Sequence, residues 1–365
     1  MSSRRRHAEI AGAGFAGLAA AIALSLHGWT VRVHEANAQL REAGAGIFLW
    51  RNGLAALARL GIEEKVSDGA HFAPSSDVVV NGIRRSRQET NTPSSYPMAT
   101  MTRQHLYGIM LERARALGAE IIAASAVAAA DADGGLVLLD GTRLAADLVI
   151  GADGVQSAVR ESLAIPIRRQ RFDDGIIRTL VSHEGLPGDA RARVIDHWVT
   201  EPLPRRVLYV PCAPRTFYLA MMARVDDAAG SATPADPRFW SACFPELADL
   251  FANMNQSWRH DVYRSTSLET WSRGRAAVIG DAAHAMPPTL GQGAGFAIGN
   301  AIALADALEP DRPVTESLTV WESAQRLPTE NVQRQAEELA RLGPRRIEIP
   351  KGVLGTAAAI QETPS

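Results

Sequence analysis

Three glycine-rich segments, far apart in the chain, could together bind a dinucleotide. They are residues 12–17 (GAGFAG), residues 151–154 (GADG) and residues 280–295 (GDAAHAMPPTLGQGAG). Glycine-rich turns that open a helix bind phosphate groups, because backbone N–H groups and the positive end of the helix dipole point at the anion. One such string is weak evidence. The three together indicate a long dinucleotide with a sugar-alcohol arm and a flat ring, which predicts FAD.

The first segment has the local context that a dinucleotide fingerprint requires. Gly12 allows the tight turn, Gly14 lets the backbone approach a pyrophosphate, and Gly17 lets the helix pack on the strand. Glu35 closes the next strand roughly 20 residues later, where a carboxylate binds the ribose hydroxyls. Because this carboxylate would repel a 2′-phosphate, we expect an adenosine without one. A turn in a Gly/Ala-rich chain is the alternative interpretation.

A sheet must position these motifs, and the hydrophobic pattern predicts one. Residues 7–11 and 30–34 are typical of strands, and residues 15–26 of the helix between them. The pattern further predicts strands at 147–150, 206–210, 217–223 and 276–280, and helices at 102–117, 294–308 and about 315–342. The strands between 178 and 225 indicate a separate antiparallel sheet.

We therefore predict an α/β fold with a Rossmann-like FAD-binding domain, an inserted, mostly antiparallel sheet domain for the substrate, and C-terminal helices. The predicted boundaries are 1–73, 99–175 and 268–300 for the discontinuous FAD-binding domain, 74–98 and 176–267 for the substrate sheet, and 301–365 for the C-terminal helices and tail. The tail is weakly patterned, so we expect it to be loosely packed.

Composition argues against several other classes of protein. The 365-residue chain is 46% hydrophobic and 21% charged with a net charge of −2, so nothing favours nucleic acid or an anionic membrane. No stretch approaches the roughly 20 apolar residues of a membrane span. Lys65 and Lys351 are the only lysines, and neither follows a glycine-rich loop. Cys212 and Cys243 are too few for a redox pair or a metal site, and we expect buried thiols in a reducing cytoplasm.

The three segments resemble those of the class A flavoprotein aromatic monooxygenases, which have the para-hydroxybenzoate hydroxylase fold. The resemblance covers residues 7 to about 342. Within this family, the strings at 44–47 (GAGI), 101–103 (MTR) and 206–209 (RVLY) look closest to pyridine-ring oxygenases of the 2-methyl-3-hydroxypyridine-5-carboxylate type. The family implies non-covalently bound FAD, with NADH or NADPH as a transient co-substrate. The lack of a second G-x-G-x-x-G string fits that transient use.

The resemblance assigns FAD contacts along most of the chain. Arg103 is expected at the phosphate and ribityl region, Asp153-Gly154 at the pyrophosphate, and Asp281 at the ribityl hydroxyls. Small residues at 291–294 would let a helix N-terminus approach the flavin ring, with Gly46 on the opposite side. The full predicted set is Gly12, Gly14, Phe15, Ala16, Gly17, Glu35, Ala36, Arg41, Gly46, Arg103, Asp153, Gly154, Gly280, Asp281, Gly291, Gln292, Gly293 and Ala294.

The family chemistry needs few protein side chains. NAD(P)H reduces FAD, O2 forms a flavin C4a-hydroperoxide, and one oxygen atom passes to an electron-rich ring. We expect a small hydroxylated or amino-substituted aromatic or N-heteroaromatic substrate, with ring opening as a further outcome for a pyridine. N-oxygenation, epoxidation, reduction or flavin binding without catalysis are the alternatives. We expect His284 to pack beside the flavin, and either a monomer or a homodimer.

Five residues are expected around the substrate. Arg206 matches a substrate-contacting position of the pyridine-ring oxygenases, where a guanidinium would hold a carboxylate or a ring oxygen. Tyr218 matches a second such position, and Pro287 and Pro288 would form the roof of the pocket. Ser76 stands where those oxygenases carry a tyrosine, so the pocket floor differs. A surface strand arginine and a core tyrosine are the alternative interpretations of Arg206 and Tyr218.

Overall fold

The computed structural model of the protein describes residues 5–40, 45–95, 97–254 and 259–343. Its strands are β1 (His7–Ala11), β2 (Thr30–His34), β3 (Gly46–Trp50), β4 (Ser75–Val80), β5 (Ile83–Glu89), β6 (Met98–Thr102), β7 (Glu120–Ile122), β8 (Val127–Ala130), β9 (Gly135–Leu138), β10 (Arg143–Ala145), β11 (Leu148–Gly151), β12 (Ile167–Ser182), β13 (Val194–Val199), β14 (Arg205–Ala213), β15 (Thr216–Arg224), β16 (His260–Leu268), β17 (Ser272–Arg273) and β18 (Ala276–Val278). Its helices are α1 (Phe15–Leu26), α2 (Arg51–Arg59), α3 (Glu63–Asp68), α4 (Arg103–Ala116), α5 (Ala158–Ser162), α6 (Pro237–Cys243), α7 (Ala248–Ala252), α8 (Asp281–His284), α9 (Gly293–Ala307) and α10 (Val314–Leu342). The weakly patterned tail predicted after these helices lies outside the described residues.

A largely parallel sheet forms the dinucleotide-binding half, in the order β17-β18-β11-β1-β2-β7. Its one antiparallel pairing joins β17 to β18 at the edge. Strand β1 is buried at every residue but the first, which is typical of a parallel strand covered on both faces. The sequence prediction of β1, α1 and β2 is confirmed residue for residue.

A seven-stranded sheet forms the other half, in the order β16-β12-β15-β14-β13-β4-β5. Five of its six pairings are antiparallel and one, between β13 and β4, is parallel. One face packs on α6 and α7 through a core that includes Trp240, Phe244, Leu247 and Phe251. The predicted insertion of a mostly antiparallel sheet is therefore confirmed, although β14 extends beyond the predicted residues 206–210 at both ends.

Strand β12 is shared by the two halves. Near its start, Ile167 packs against the core of the FAD-binding half, whereas Ile177 and Val181 belong to the core under α6 and α7. Its pairing with β16 shifts register between Arg171 and Gly175. The boundary expected at 175/176 thus falls inside one strand and beside this irregularity.

Helix α10 is hydrogen-bonded to elements of both halves. The indole Nε1 of Trp321 donates to the backbone oxygen of Asn300 in α9 at 2.9 Å. The amide of Gln333 donates to the backbone oxygens of Thr266 and Ala285 at 2.7 and 2.8 Å. These buried side chains explain why the predicted C-terminal helix is an integral part of the fold.

A buried carboxylate lies in the central strand β1. Glu9 is 1% exposed and accepts hydrogen bonds from His34 at 2.8 Å, His7 at 2.9 Å and Arg32 at 3.2 Å. The second ring nitrogen of His34 lies 2.8 Å from the hydroxyl of Ser125. Burial alone would raise the pKa of Glu9, but the hydrogen bonds from His34 and His7 and the charge of Arg32 lower it below the usual 4.5. The carboxylate is therefore ionised at neutral pH.

We expect Glu9→Gln to lower the free energy of unfolding by about 1–3 kcal/mol, because the buried groups lose a charged partner. Since the pKa of Glu9 is lowered from 4.5 in the folded protein, this loss is complete above pH 4.5 and shrinks as the pH falls below it. Urea unfolding at several pH values measures both effects. Glu120→Gln is the control, because Glu120 pairs with the same Arg32 at an exposed position and should contribute less than about 1 kcal/mol. Equal losses from the two variants would contradict this prediction.

Candidate active site

The first glycine segment forms a turn that has no room for a side chain at Gly12 or Gly17. Gly12 has a φ of 95°, and its N–H donates to the backbone oxygen of His34 at 2.7 Å. A Cβ on Gly12 would collide with the backbone oxygen of Ala152, and a Cβ on Gly17 with that of Gly12. A Cβ on Gly14, at the start of α1, would meet nothing within 4 Å. Backbone atoms therefore pack closely around Gly12 and Gly17. Gly14 remains accessible at the N-terminus of α1, where the helix has free N–H groups.

The adenosine end is marked by Glu35, directly after β2. Its carboxylate accepts hydrogen bonds from the backbone N–H of Ala13 at 3.0 Å and of Asn37 at 2.9 Å. These bonds hold the carboxylate beside the first glycine turn, where the fingerprint expects a ribose. Ala36 follows at an exposed position. Arg41, another predicted contact, lies outside the described residues.

The second segment follows β11 and packs against the first. One oxygen of Asp153 accepts a hydrogen bond from the backbone N–H of Val159, near the start of α5, at 3.1 Å. Its other oxygen is buried without a protein partner. Gly154 has a φ of 76° and lines the central cavity, whereas Asp153 does not. The segment therefore presents backbone to the cavity and holds its aspartate behind it.

The third segment brings its own glycine against α1. Gly280 has a φ of 60°, and a Cβ there would stand 2.7 Å from the Cβ of Ala16. Asp281 follows at the start of α8 and lines the cavity. This close approach places the predicted ribityl-binding carboxylate beside the predicted pyrophosphate-binding turn.

The loop at 291–294 lines the cavity mainly through its backbone. Gly291, Gly293 and Ala294 border the cavity at the N-terminus of α9. The side chain of Gln292 instead turns toward α2, is 2% exposed, and accepts a hydrogen bond from Asn52 at 3.1 Å. The predicted FAD contact of Gln292 thus rests on its backbone.

These segments surround one cavity of about 570 Å³ that reaches both halves of the molecule. Arg103, which begins α4, lies over the ring of Phe15 with 4.8 Å between the guanidinium carbon and the ring centroid. The predicted FAD contacts that border the cavity are Gly14, Phe15, Ala16, Gly46, Arg103, Gly154, Asp281, Gly291, Gly293 and Ala294. The structure therefore gathers residues from five distant parts of the sequence around a single space.

The seven-stranded sheet forms the opposite wall of this cavity. Successive side chains of a strand point to opposite faces, so alternate residues line the cavity while their neighbours pack under α6 and α7. The residues on the cavity face are Ser76, Val78, Ile176, Arg178, Val194, Asp196, Arg206, Leu208, Tyr218, Ala220 and Met222. Most of these side chains are apolar, with the polar groups confined to a few positions.

Arg206 reaches this wall already paired with a carboxylate. Its Nε and Nη2 donate to the two oxygens of Asp196 at 2.6 and 3.0 Å, and its third nitrogen lies 3.3 Å from the sulfur of Met222. Burial alone would lower the pKa of Arg206, but the adjacent Asp196 carboxylate raises it. The ion pair joins β14 to β13, and Asp196 is a cavity residue that the sequence analysis missed.

Tyr218 fills the space between the sheet and the flavin side of the cavity. It is 5% exposed, and a Cβ on Gly46 would stand 2.6 Å from its ring. Burial raises the pKa of the Tyr218 hydroxyl, opposed by the charges of Arg178 and Arg103. Arg178, also missed by the sequence analysis, lies close enough to that hydroxyl to lower its pKa, and it donates to Asp261 at 2.6 Å. Tyr218 is therefore protonated at neutral pH and can donate a hydrogen bond.

The roof and floor of the cavity contain the remaining predicted residues. Pro287 and Pro288 line it from the loop after α8, and Ser76 lines it from β4. His284 does not reach the cavity. Its ring is fully buried beside Trp271, and this burial lowers its pKa to about 4. A neutral, buried ring favours packing over an acid–base role, but the ring packs beside Trp271 and not at the cavity where the flavin was expected.

Two other kinds of site find no support in the described part of the chain. Among those residues, no group of three or more His, Cys, Asp or Glu side chains could hold a metal ion. Nor is any helix described there long and apolar enough to cross a membrane.

Known proteins share this arrangement. The family described as "FAD binding domain" matches residues 6–310. A 2-heptyl-3-hydroxy-4(1H)-quinolone synthase of Mycobacteroides abscessus is 40% identical over 342 residues, covering 92% of this chain and 90% of that protein. A putative synthase of the same name from Rhodococcus erythropolis is 38% identical over 344 residues, covering 93% and 89%.

A solved structure agrees with these relatives. The tetrameric form of 2-methyl-3-hydroxypyridine-5-carboxylic acid oxygenase is 40% identical, with a TM-score of 0.91 over 98% of this chain and 96% of that one. The resemblance predicted from the three glycine segments is confirmed. The chain belongs to the family that carries this FAD binding domain, and it is an FAD-dependent monooxygenase.

Proposed function

We propose that the protein uses NADH or NADPH and O2 to add oxygen to an uncharged N-heteroaromatic ring held between the flavin and the seven-stranded sheet. The observation that carries this proposal is the single cavity, which has a dinucleotide cradle on one side and a largely apolar sheet face on the other. Such a cavity holds a ring by burial and orients it with a few polar groups.

The residues on the dinucleotide side of the cavity suit FAD in four respects. The turn at Gly12 leaves α1 open to a pyrophosphate, and Glu35 is fixed where an adenosine ribose would bind. Asp281 borders the same cavity, where its carboxylate would accept hydrogen bonds from the ribityl chain. The backbone at the start of α9 would face the flavin ring. The chemistry that bound, reduced FAD would supply is the activation of O2, from which the ring would receive its oxygen.

The protein side chains would bind and orient the ring. Because burial raises the pKa of Tyr218, its hydroxyl keeps its proton at neutral pH and would donate it in a hydrogen bond to a ring oxygen. Pro287, Pro288 and the aliphatic side chains of the sheet would exclude water from the reacting atoms. Holding the ring in one orientation close to the flavin contributes most of what the protein must supply.

The relatives suggest which rings to test first. The name of the quinolone synthases denotes a bicyclic ring with a heptyl chain, and that of the solved oxygenase denotes a pyridine with a carboxylic acid. The aliphatic lining by Val78, Val194, Leu208 and Met222 favours the quinolone type. Both ring types belong in one assay.

We expect NADH or NADPH oxidation by the FAD-loaded enzyme to accelerate with a 4-quinolone or hydroxypyridine, and the product to gain oxygen. Stopped-flow absorbance measures flavin reduction, and mass spectrometry measures the product. A product with one added oxygen supports hydroxylation, and ring opening would add two. A flavin that no nicotinamide reduces in the presence of any of these rings would contradict the proposed function.

We expect Gly14→Ala to weaken FAD binding at least about tenfold, because its methyl group would stand where the pyrophosphate approaches the backbone. The folded apoprotein should be unaffected, since a Cβ at Gly14 meets nothing within 4 Å. Calorimetric titration of the apoprotein with FAD measures the affinity. Gly108→Ala, in the middle of α4, also meets nothing within 4 Å and should leave FAD binding unchanged. Equal FAD affinities in the two variants would argue against a pyrophosphate at Gly14.

We expect Tyr218→Phe to raise the Kd of the ring substrate about fivefold to tenfold, because one hydrogen bond to the ring is lost. FAD affinity should stay at the wild-type value. Tyr209→Phe is the control, because Tyr209 lies on the same sheet with its hydroxyl bonded to Leu186 and Arg191 on the other face. It should cost stability and leave the substrate Kd unchanged. Titration of the holoenzyme followed by flavin absorbance tests both variants.

A further inference from the structure

The cavity wall contains an ion pair that the binding of FAD does not use. Asp196 and Arg206 face the cavity from neighbouring strands, and their side chains are only 16% and 12% exposed. The two strands place them diagonally, with Arg206 opposite Trp198, and the guanidinium carbon lies 5.2 Å from the centroid of that indole ring. Parallel hydrogen bonds of this kind fix both side chains in one geometry.

The pairing changes what Arg206 can recognise. Its Nε–Nη2 edge, the edge that best matches a carboxylate, is occupied by Asp196 at 2.6 and 3.0 Å. The remaining nitrogen lies against the sulfur of Met222. A substrate carboxylate at this place would have to displace Asp196 or stand beside it as a second anion. Either arrangement is unfavourable.

The neighbouring arginines do not offer a simple replacement. Arg178 donates to Asp261 at 2.6 Å and lies near the hydroxyl of Tyr218. Arg103 lies over Phe15 at the FAD end of the cavity. On β13 and β14, the cavity side chains besides this ion pair are the aliphatic Val194 and Leu208. The substrate end of the cavity therefore combines a neutralised guanidinium with apolar walls.

We infer that Asp196 is a specificity-determining residue, which makes the cavity accept uncharged rings and reject rings that carry a carboxylate. It acts in two ways: it occupies the carboxylate-binding edge of Arg206, and it repels a second anion. This inference rests on the proposed function, because it concerns the ring that occupies the same cavity. It also implies that loss of the Asp196 charge would turn Arg206 into a binding site for acids.

The test uses two compounds that differ only in one carboxylate, 4-hydroxyquinoline and 4-hydroxyquinoline-2-carboxylate. Their Kd values are measured with the FAD-loaded enzyme from changes in flavin absorbance. We expect the wild type to bind the uncharged ring at least about tenfold more tightly than the acid. Asp196→Asn, which keeps the shape of the side chain, should reverse that preference. Arg206→Gln combined with Asp196→Asn should lose the gained affinity for the acid.

Asp77→Asn is the matched control. Asp77 lies on β4 of the same sheet, is 3% exposed, and accepts two hydrogen bonds from Arg87 at 2.9 Å each, but it does not line the cavity. Its loss should leave the ratio of the two Kd values unchanged. This control separates the loss of a sheet ion pair from the loss of the charge in the cavity.

Three outcomes would overturn the inference. The first is a wild type that binds the acid as tightly as the uncharged ring. The second is an unchanged Kd ratio in FAD-loaded Asp196→Asn, which would leave the proposed function intact. The third is that no FAD-loaded protein binds either ring, which would contradict both the proposed ring substrate and this inference.

Discussion

The structure depends on close contacts among the three glycine-rich segments at the carboxyl ends of the parallel strands. The turn at Gly12 touches the backbone of Ala152, and Gly280 touches Ala16. A single methyl group at either glycine would force the loops apart. The parallel sheet brings these loops together because strands β1, β11 and β18 are neighbours, although the three loops lie far apart in the chain. The positions of the predicted FAD contacts on these three loops follow from this contact.

The second constraint is the two-residue period of the strands in the seven-stranded sheet. The same strands supply the core under α6 and α7 with one set of side chains and the cavity wall with the other. A shift of one residue in any pairing would exchange the two sets. This explains how Tyr209 and Tyr218, on adjacent strands, come to serve a buried core and a reactive cavity respectively.

Much of the fold could be predicted from the sequence because its signals are local. The unit of β1, α1 and β2 has a strand, a glycine turn and a helix within about thirty residues. Asp196 could not be found in this way, because its importance comes from pairing with Arg206, and the register between β13 and β14 is set by the whole sheet. For the same reason the chain could not reveal that Gln292 turns toward Asn52. The family resemblance suggested the role of Arg206 but not the carboxylate that accompanies it.

Strand β12 has a mechanical consequence. A chain that enters the substrate sheet through a flexible linker could open its active site by rotating one domain away from the other. Here a continuous hydrogen-bonded strand, paired with β16, carries side chains into both cores. Such a rotation would have to break a ladder of backbone hydrogen bonds. Exchange of substrate and product would therefore rely on movements of side chains and short loops around a rigid frame.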